Sequence, residues 1–116
     1  AIPNFTRTIE RARVQDAMTQ LTAIHAAQAI RFARQKSYWP TDLSSYDVSA
    51  INSNLNLNII ENDLEYYCQG DGTGTTYSCR AERGTVYTVS VTQADLSSET
   101  GSENPVCTDD TGGTCP

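Results

Sequence analysis

Four cysteines, one histidine and a C-terminal run of acids are the residues of this chain whose types could do chemistry. The cysteines stand at positions 68, 79, 107 and 115. Zinc-binding thiolates come in close pairs such as C-x2-C, and a Cys/His site needs its histidine nearby. Neither spacing fits here, and His25 falls in a distant helical stretch, so zinc is disfavoured. An even cysteine count in a small chain rich in Gly, Ser and Thr fits two disulfides and an oxidising compartment instead. Of the pairings open to Cys68, Cys79, Cys107 and Cys115, the nearest-neighbour one is favoured. Cys68 and Cys79 flank a predicted strand turn and can fall opposite each other across it. Cys107 and Cys115 can close the small loop CTDDTGGTC in a tail that has no apolar period of its own.

As a catalytic base, His25 would need a nucleophile and an orienting acid close by. The sequence holds no nucleophile elbow, and His25 shares a helical face with Met18, Leu21 and Phe32, so it reads as a packed or half-buried side chain. Gly70-Asp71-Gly72-Thr73-Gly74 could be taken for a phosphate loop, but such a loop presents the start of a following helix, and here a strand follows. It reads as a hairpin turn. Asp95, Glu99, Glu103, Asp109 and Asp110 could offer calcium the hard oxygen ligands it takes, although no EF-hand spacing is present. A solvated acidic tail is the simpler reading, and no cofactor is expected. Asn4-Phe5-Thr6 matches a glycosylation acceptor that arises often by chance, at a place where a helix should pack. No convergent catalytic set emerges, and the expectation is a protein that is not an enzyme.

The net charge of -6 hides a division. Residues 1–36 carry six cations (Arg7, Arg11, Arg13, Arg31, Arg34, Lys36) against Glu10 and Asp16, a balance of +4; residues 37–116 carry Arg80 and Arg83 against twelve acids, a balance of -10. A nucleic-acid binder gathers positive charge on a broad folded face, whereas here the basic part is one helix and the rest is acidic, which argues against DNA or RNA. Copies of such a two-poled molecule could attract head to tail. Arg7, Arg11 and Arg13 have two open readings. They are helix-surface charges around Glu10, or they meet anionic headgroups or the acids of a neighbouring molecule.

The elements that must position these residues follow from patterning. At 116 residues the chain is one domain, residues 1–116. From Asn4 to Lys36 there is no glycine or proline, and Ala, Arg, Gln and Leu abound, so residues 1–36 are expected to hold one long helix. At 100° per residue, Val14, Ala17, Met18, Leu21, Ile24, His25, Gln28, Ala29 and Phe32 share one arc, a core-facing stripe. Phe5, Ile9 and Ala12 lie almost opposite and must contact something else. Trp39-Pro40 is expected to stop the helix. Residues 37–63 read as a loop with a short strand or helical turn near 55–60. Three strand-like runs follow at 64–69, 75–81 and 86–91, a meander within residues 64–94, and residues 95–116 form the disulfide-tied tail. The expected class is α+β: a long N-terminal helix on a three-stranded antiparallel sheet. No apolar run approaches the ~18–20 residues that span a bilayer.

The stub Ala1-Ile2-Pro3-Asn4-Phe5, the Ala-rich helix behind it and the aromatic-proline stop at Trp39-Pro40 resemble the type IV pilins and the pseudopilins of type II secretion. In that family an apolar segment of roughly twenty residues precedes the stub and often ends in Ala-Ile-Pro-x-Phe or Ala-Ile-Pro-x-Tyr. The resemblance implies that such a segment has been removed here, together with the family's assembly glutamate and cleavage site, so no residue of this chain takes those roles. It further implies a structural subunit of an extracellular helical filament, pilus or pseudopilus, anchored in the inner membrane before assembly. Its partners would be copies of itself, and the membrane and assembly machinery through the missing segment. Ala1, Ile2, Pro3, Phe5, Ile9 and Ala12 would pack against neighbouring subunits. Major pseudopilins also bind calcium near a C-terminal loop, which gives Asp95, Glu99, Asp109 and Asp110 their place as lesser candidates. The alternative expectation is a secreted module that binds calcium or another ligand through its acidic tail, with the helix as a partner-binding arm.

Overall fold

The computed structural model describes residues 2–61, 63–99, 102–111 and 115–116, with residues 2–7 described by their backbone alone. The expected α+β class is observed. A 34-residue helix, α1 (Ile2–Gln35), is followed by strand β1 (Ser45–Tyr46), helix α2 (Val48–Leu55) and strands β2 (Glu65–Gly70), β3 (Tyr77–Arg83), β4 (Tyr87–Thr92) and β5 (Val106–Asp109). The strands form one antiparallel sheet in the order β1-β2-β3-β4-β5, so the expected three strands are the middle of a five-stranded sheet. The two additional strands were illegible for separate reasons. β1 is only two residues long, and β5 lies in the polar tail, where pairing with β4 rather than apolar alternation makes the strand.

Burial alternates along the three long strands, as it must in a sheet with one covered face. Tyr66 and Cys68, then Tyr77, Cys79 and Ala81, then Tyr87, Val89 and Val91 point to the core. Val14, Ala17, Leu21, Ile24 and Gln28 of α1 are buried, while Met18 packs against the core partly covered. Phe32, expected on the same stripe, is 37% exposed and stacks on Tyr38, with ring centroids 4.6 Å apart; Ala29 is exposed. Their angle round the helix is right, but burial also needs sheet opposite them, and Phe32 finds only the loop residue Tyr38.

Cys68 and Cys79 face each other directly across β2 and β3 and are bonded, and Cys107 is bonded to Cys115. The nearest-neighbour pairing is therefore the one formed. Both members of the first bridge are fully buried, so it acts as core filling as well as a cross-strand link.

α1 ends four residues ahead of Trp39. Lys36 adopts a left-handed conformation (φ 62°) and its N–H bonds the Phe32 carbonyl at 2.8 Å, a helix cap that acts before Pro40 can. The loop at 37–63 also differs from expectation: its helix is α2, not a turn near 55–60. Asp47 caps it by accepting from the Ala50 N–H, and Val48, Ile51 and Leu55 give it an apolar face. The stretch after α2 is irregular and is fastened by Asn52, whose side chain bonds both the N–H and the carbonyl of Ile59 (2.8 and 2.9 Å).

The glycine-rich segment after β2 is a turn, as expected, and Asp71 builds it. Its carboxylate accepts from the N–H groups of Thr73 (2.8 Å) and Gly74 (2.9 Å), and the Thr73 N–H bond is the main cause that holds its pKa down to about 2. Gly74, at φ 79°, then offers its carbonyl to the Tyr38 N–H at 2.8 Å. The hairpin turn thus supports the chain where it leaves α1.

Candidate assembly surface

α1 is as long as the whole molecule: 34 residues at 1.5 Å each give about 51 Å, and the longest dimension is 51 Å against 29 and 21 Å for the others. The sheet covers only part of one side. Buried positions on α1 run from Val14 to Gln28, so the first three turns carry no buried side chain among the described residues. Ile9 is 38% exposed and Ala12 is exposed. They border a groove of about 460 Å³ with Arg13, Asp16, Leu64 and Tyr66, where the helix leaves the edge of the domain. Of the residues expected to pack between subunits, Ile9 and Ala12 are therefore on the surface; Ala1 and the side chains of Ile2, Pro3 and Phe5 lie outside the described residues, as does the side chain of Arg7.

The stripe stops at Val14 because the next position towards the N-terminus on the same face is an acid. Glu10 accepts a hydrogen bond from the Tyr87 hydroxyl at 2.7 Å and from Arg83 Nη2 at 3.3 Å, and is paired with Arg13. Arg13 also meets Asp63 at 3.0 Å. The body of Tyr87 is fully buried, so the pair fastens the helix overhang to the hairpin between β3 and β4. Burial raises the pKa of Glu10, but the bonds from Tyr87, Arg83 and Arg13 together outweigh it and the net shift is downward from 4.5. Burial is also the largest cause of the raised pKa of Tyr87, followed by its bond to Glu10. Sequence reasoning saw Glu10 only as a surface partner of the nearby arginines. The signal that could have found its role is its place on the Val14–Leu21 face, one turn before the apolar residues begin.

This arrangement sets a pH dependence. Folding lowers the Glu10 pKa, so the stabilisation is complete above the ordinary value of 4.5 and is lost as the pH falls through the lower folded value. Glu10→Gln keeps one acceptor oxygen for the arginines but loses the charge, and its amide nitrogen can only donate to the Tyr87 hydroxyl instead of accepting from it. It should cost about 1–2 kcal/mol at neutral pH, and the gap from wild type should close below the folded pKa. Urea unfolding of both proteins across the acid range checks this; a gap that stays constant with pH would refute it.

The other candidate residues are dispersed. His25 is half-buried, and its Nε2 donates to the Ala94 carbonyl at 2.8 Å, a bond that holds the segment after β4 on α1. Asn104, buried, fastens the same segment. Its side chain accepts from the Thr92 N–H and donates to the carbonyls of Thr92 and Ala94. Asp109 accepts from the Thr111 N–H at 2.8 Å, and Asp110 accepts from the Thr88 hydroxyl at 3.2 Å. Asp95 and Glu99 lie in the exposed stretch that follows β4. Among the described residues no three His, Cys, Asp or Glu side chains come together as a metal site, so the proposed calcium ligands are not gathered.

Among the described residues no helix is long and apolar enough to cross a membrane. No family model matches the chain, and neither a curated protein nor a solved structure matches it at a significant level.

Proposed function

We propose that this chain is a non-enzymatic structural subunit of an extracellular helical filament of the type IV pilus or pseudopilus kind. The observation that carries the reading is α1, a helix that outruns its own domain and leaves Ile9 and Ala12 exposed in the groove at the edge of the sheet. Such a face gains free energy only by meeting apolar surface elsewhere. In a filament the N-terminal helix turns gather at the centre, and the sheet, with its two disulfides, forms the wall. Repeated heterologous contact of one copy with the next gives an open helical assembly. The disulfides suit an oxidising exterior, and the acidic balance of residues 37–116 keeps such a wall solvated.

The test is made on the source cells. Filaments are sheared from the surface and the subunit is read by mass spectrometry. The expected result is this chain within the filaments, extended upstream of Ala1 by an apolar segment. A mature protein that begins at Ala1 and is absent from the sheared fraction would end the proposal.

A further inference from the structure

A second groove lies on the same α1, between its C-terminal half and the residues that end and follow α2. It encloses about 530 Å³, and its wall includes Ala23, Ala27, Ile30, Arg31, Arg34 and Leu57, with no acidic residue. Ile30 is 56% exposed. Arg31 Nε is buried with no hydrogen-bond partner, and Arg31 and Arg34 form no ion pair among the described residues. An apolar floor beside two unpaired guanidinium groups fits an occupant with an apolar side chain flanked by carboxylates.

The chain itself carries such a segment. Residues 95–99 read Asp-Leu-Ser-Ser-Glu. Leu96 is 47% exposed, and Asp95 and Glu99 form no ion pair among the described residues. The segment cannot fill its own groove. Ala94, immediately before it, is bonded to His25 on α1 and to Asn104, and Ser97 bridges to Asn104. At 100° per residue, Ala23, Ala27, Ile30 and Arg34 lie about 140–180° round the helix from His25. Groove and acidic segment therefore occupy opposite sides of α1, separated by the helix's own width of about 10–12 Å.

We propose that the groove between α1 and α2 docks segment 95–99 of a second copy of this chain, with Leu96 against Ile30 and the carboxylates of Asp95 and Glu99 paired with Arg31 and Arg34. This rests on the filament reading and names one of its contacts between subunits. Because the two surfaces face opposite ways, each copy that receives a segment still presents its own, and the heterologous contact can run on from copy to copy. The overall charge division of +4 on residues 1–36 and -10 on the remainder steers copies into this orientation.

Sedimentation equilibrium of the 116-residue chain at low and high ionic strength tests the proposal. The wild type should self-associate at low ionic strength, and its Kd should weaken about tenfold or more at high ionic strength. Arg31→Glu with Arg34→Glu should abolish association, as should Asp95→Lys with Glu99→Lys, each with its circular dichroism unchanged. The chain that carries all four substitutions restores complementarity and should associate again. Leu96→Ser should weaken association at either ionic strength. A wild type that stays monomeric, double variants that associate as well as wild type, or a fourfold variant that does not recover would overturn the proposal. A monomer that instead pellets with phosphatidylglycerol vesicles through Arg31 and Arg34 would overturn it in favour of a lipid occupant. Filament membership is read separately from the source cells. A chain found in filaments but monomeric here sinks only this contact, and salt-sensitive association of a chain absent from filaments sinks only the filament reading.

Discussion

Gly70→Ala is expected to destabilise this protein by about 3 kcal/mol or more, the largest loss from a methyl group added at any of the described glycines. Gly70 ends β2 opposite Tyr77, and the chain leaving α1 crosses directly over it. A Cβ at this position would sit 2.0 Å from the Pro40 carbonyl oxygen and 2.7 Å from that of Asp42. Both obstacles are backbone, so no side-chain rotation relieves them. Either β2 loses the end of its ladder or the 37–42 segment lifts away and exposes Trp39. Gly84 is the internal comparison. It adopts φ 53°, but a Cβ there meets nothing within 4 Å, so Gly84→Ala carries only the conformational cost of about 1 kcal/mol. Urea unfolding should show a far lower midpoint for Gly70→Ala than for Gly84→Ala, with similar slopes. Equal midpoints would mean that the segment over β2 is not held closely.

Gln28→Ala acts on the same segment from the helix side. Gln28 is the one polar residue in the buried run of α1, with 0% exposure. Its carbonyl oxygen accepts from the Trp39 N–H at 2.9 Å, and its amide nitrogen donates to the Trp39 carbonyl. Trp39 has left the helix and has no strand partner there, so these are the bonds that satisfy its peptide groups. Truncation strands a buried donor and a buried acceptor and also leaves a void. The expected cost is about 3–4 kcal/mol, seen as a fall in Tm of about 10 °C or more. Gln28→Leu separates the two causes, because it restores most of the bulk and none of the hydrogen bonds. It should remain well below wild type. A leucine variant as stable as wild type would show that volume, not the pairing with Trp39, fixes Gln28.

Gln28 also shows where reading the chain by period reached its limit. Its position on the buried arc is plain from the spacing Val14, Leu21, Ile24, Gln28, yet the arc says only that the side chain points inward. The partner it meets there belongs to a loop, and loop paths have no period. Glu10 repeats the lesson at the other end of the stripe, where its angle placed it on the core face and its charge disguised it as a surface residue. The two strands beyond the meander went unseen for a related reason. β5 is made by the hydrogen bonds that β4 offers at its edge, and its four residues, Val-Cys-Thr-Asp, carry no alternation to announce it.

Local patterning alone determined the long helix, the buried stripe from Val14, the three central strands with their glycine turns, and the pairing of neighbouring cysteines. These are properties of residues close in sequence, where one helical or strand period decides which side chains share a face. Tertiary structure alone decided that Glu10 meets Tyr87 and Arg83, that Gln28 holds Trp39, and that the acidic segment after β4 lies across α1 from the basic groove. Each of these joins elements separated by a turn or loop. Their meeting depends on how the chain folds back, a long-range geometry that no local spacing encodes.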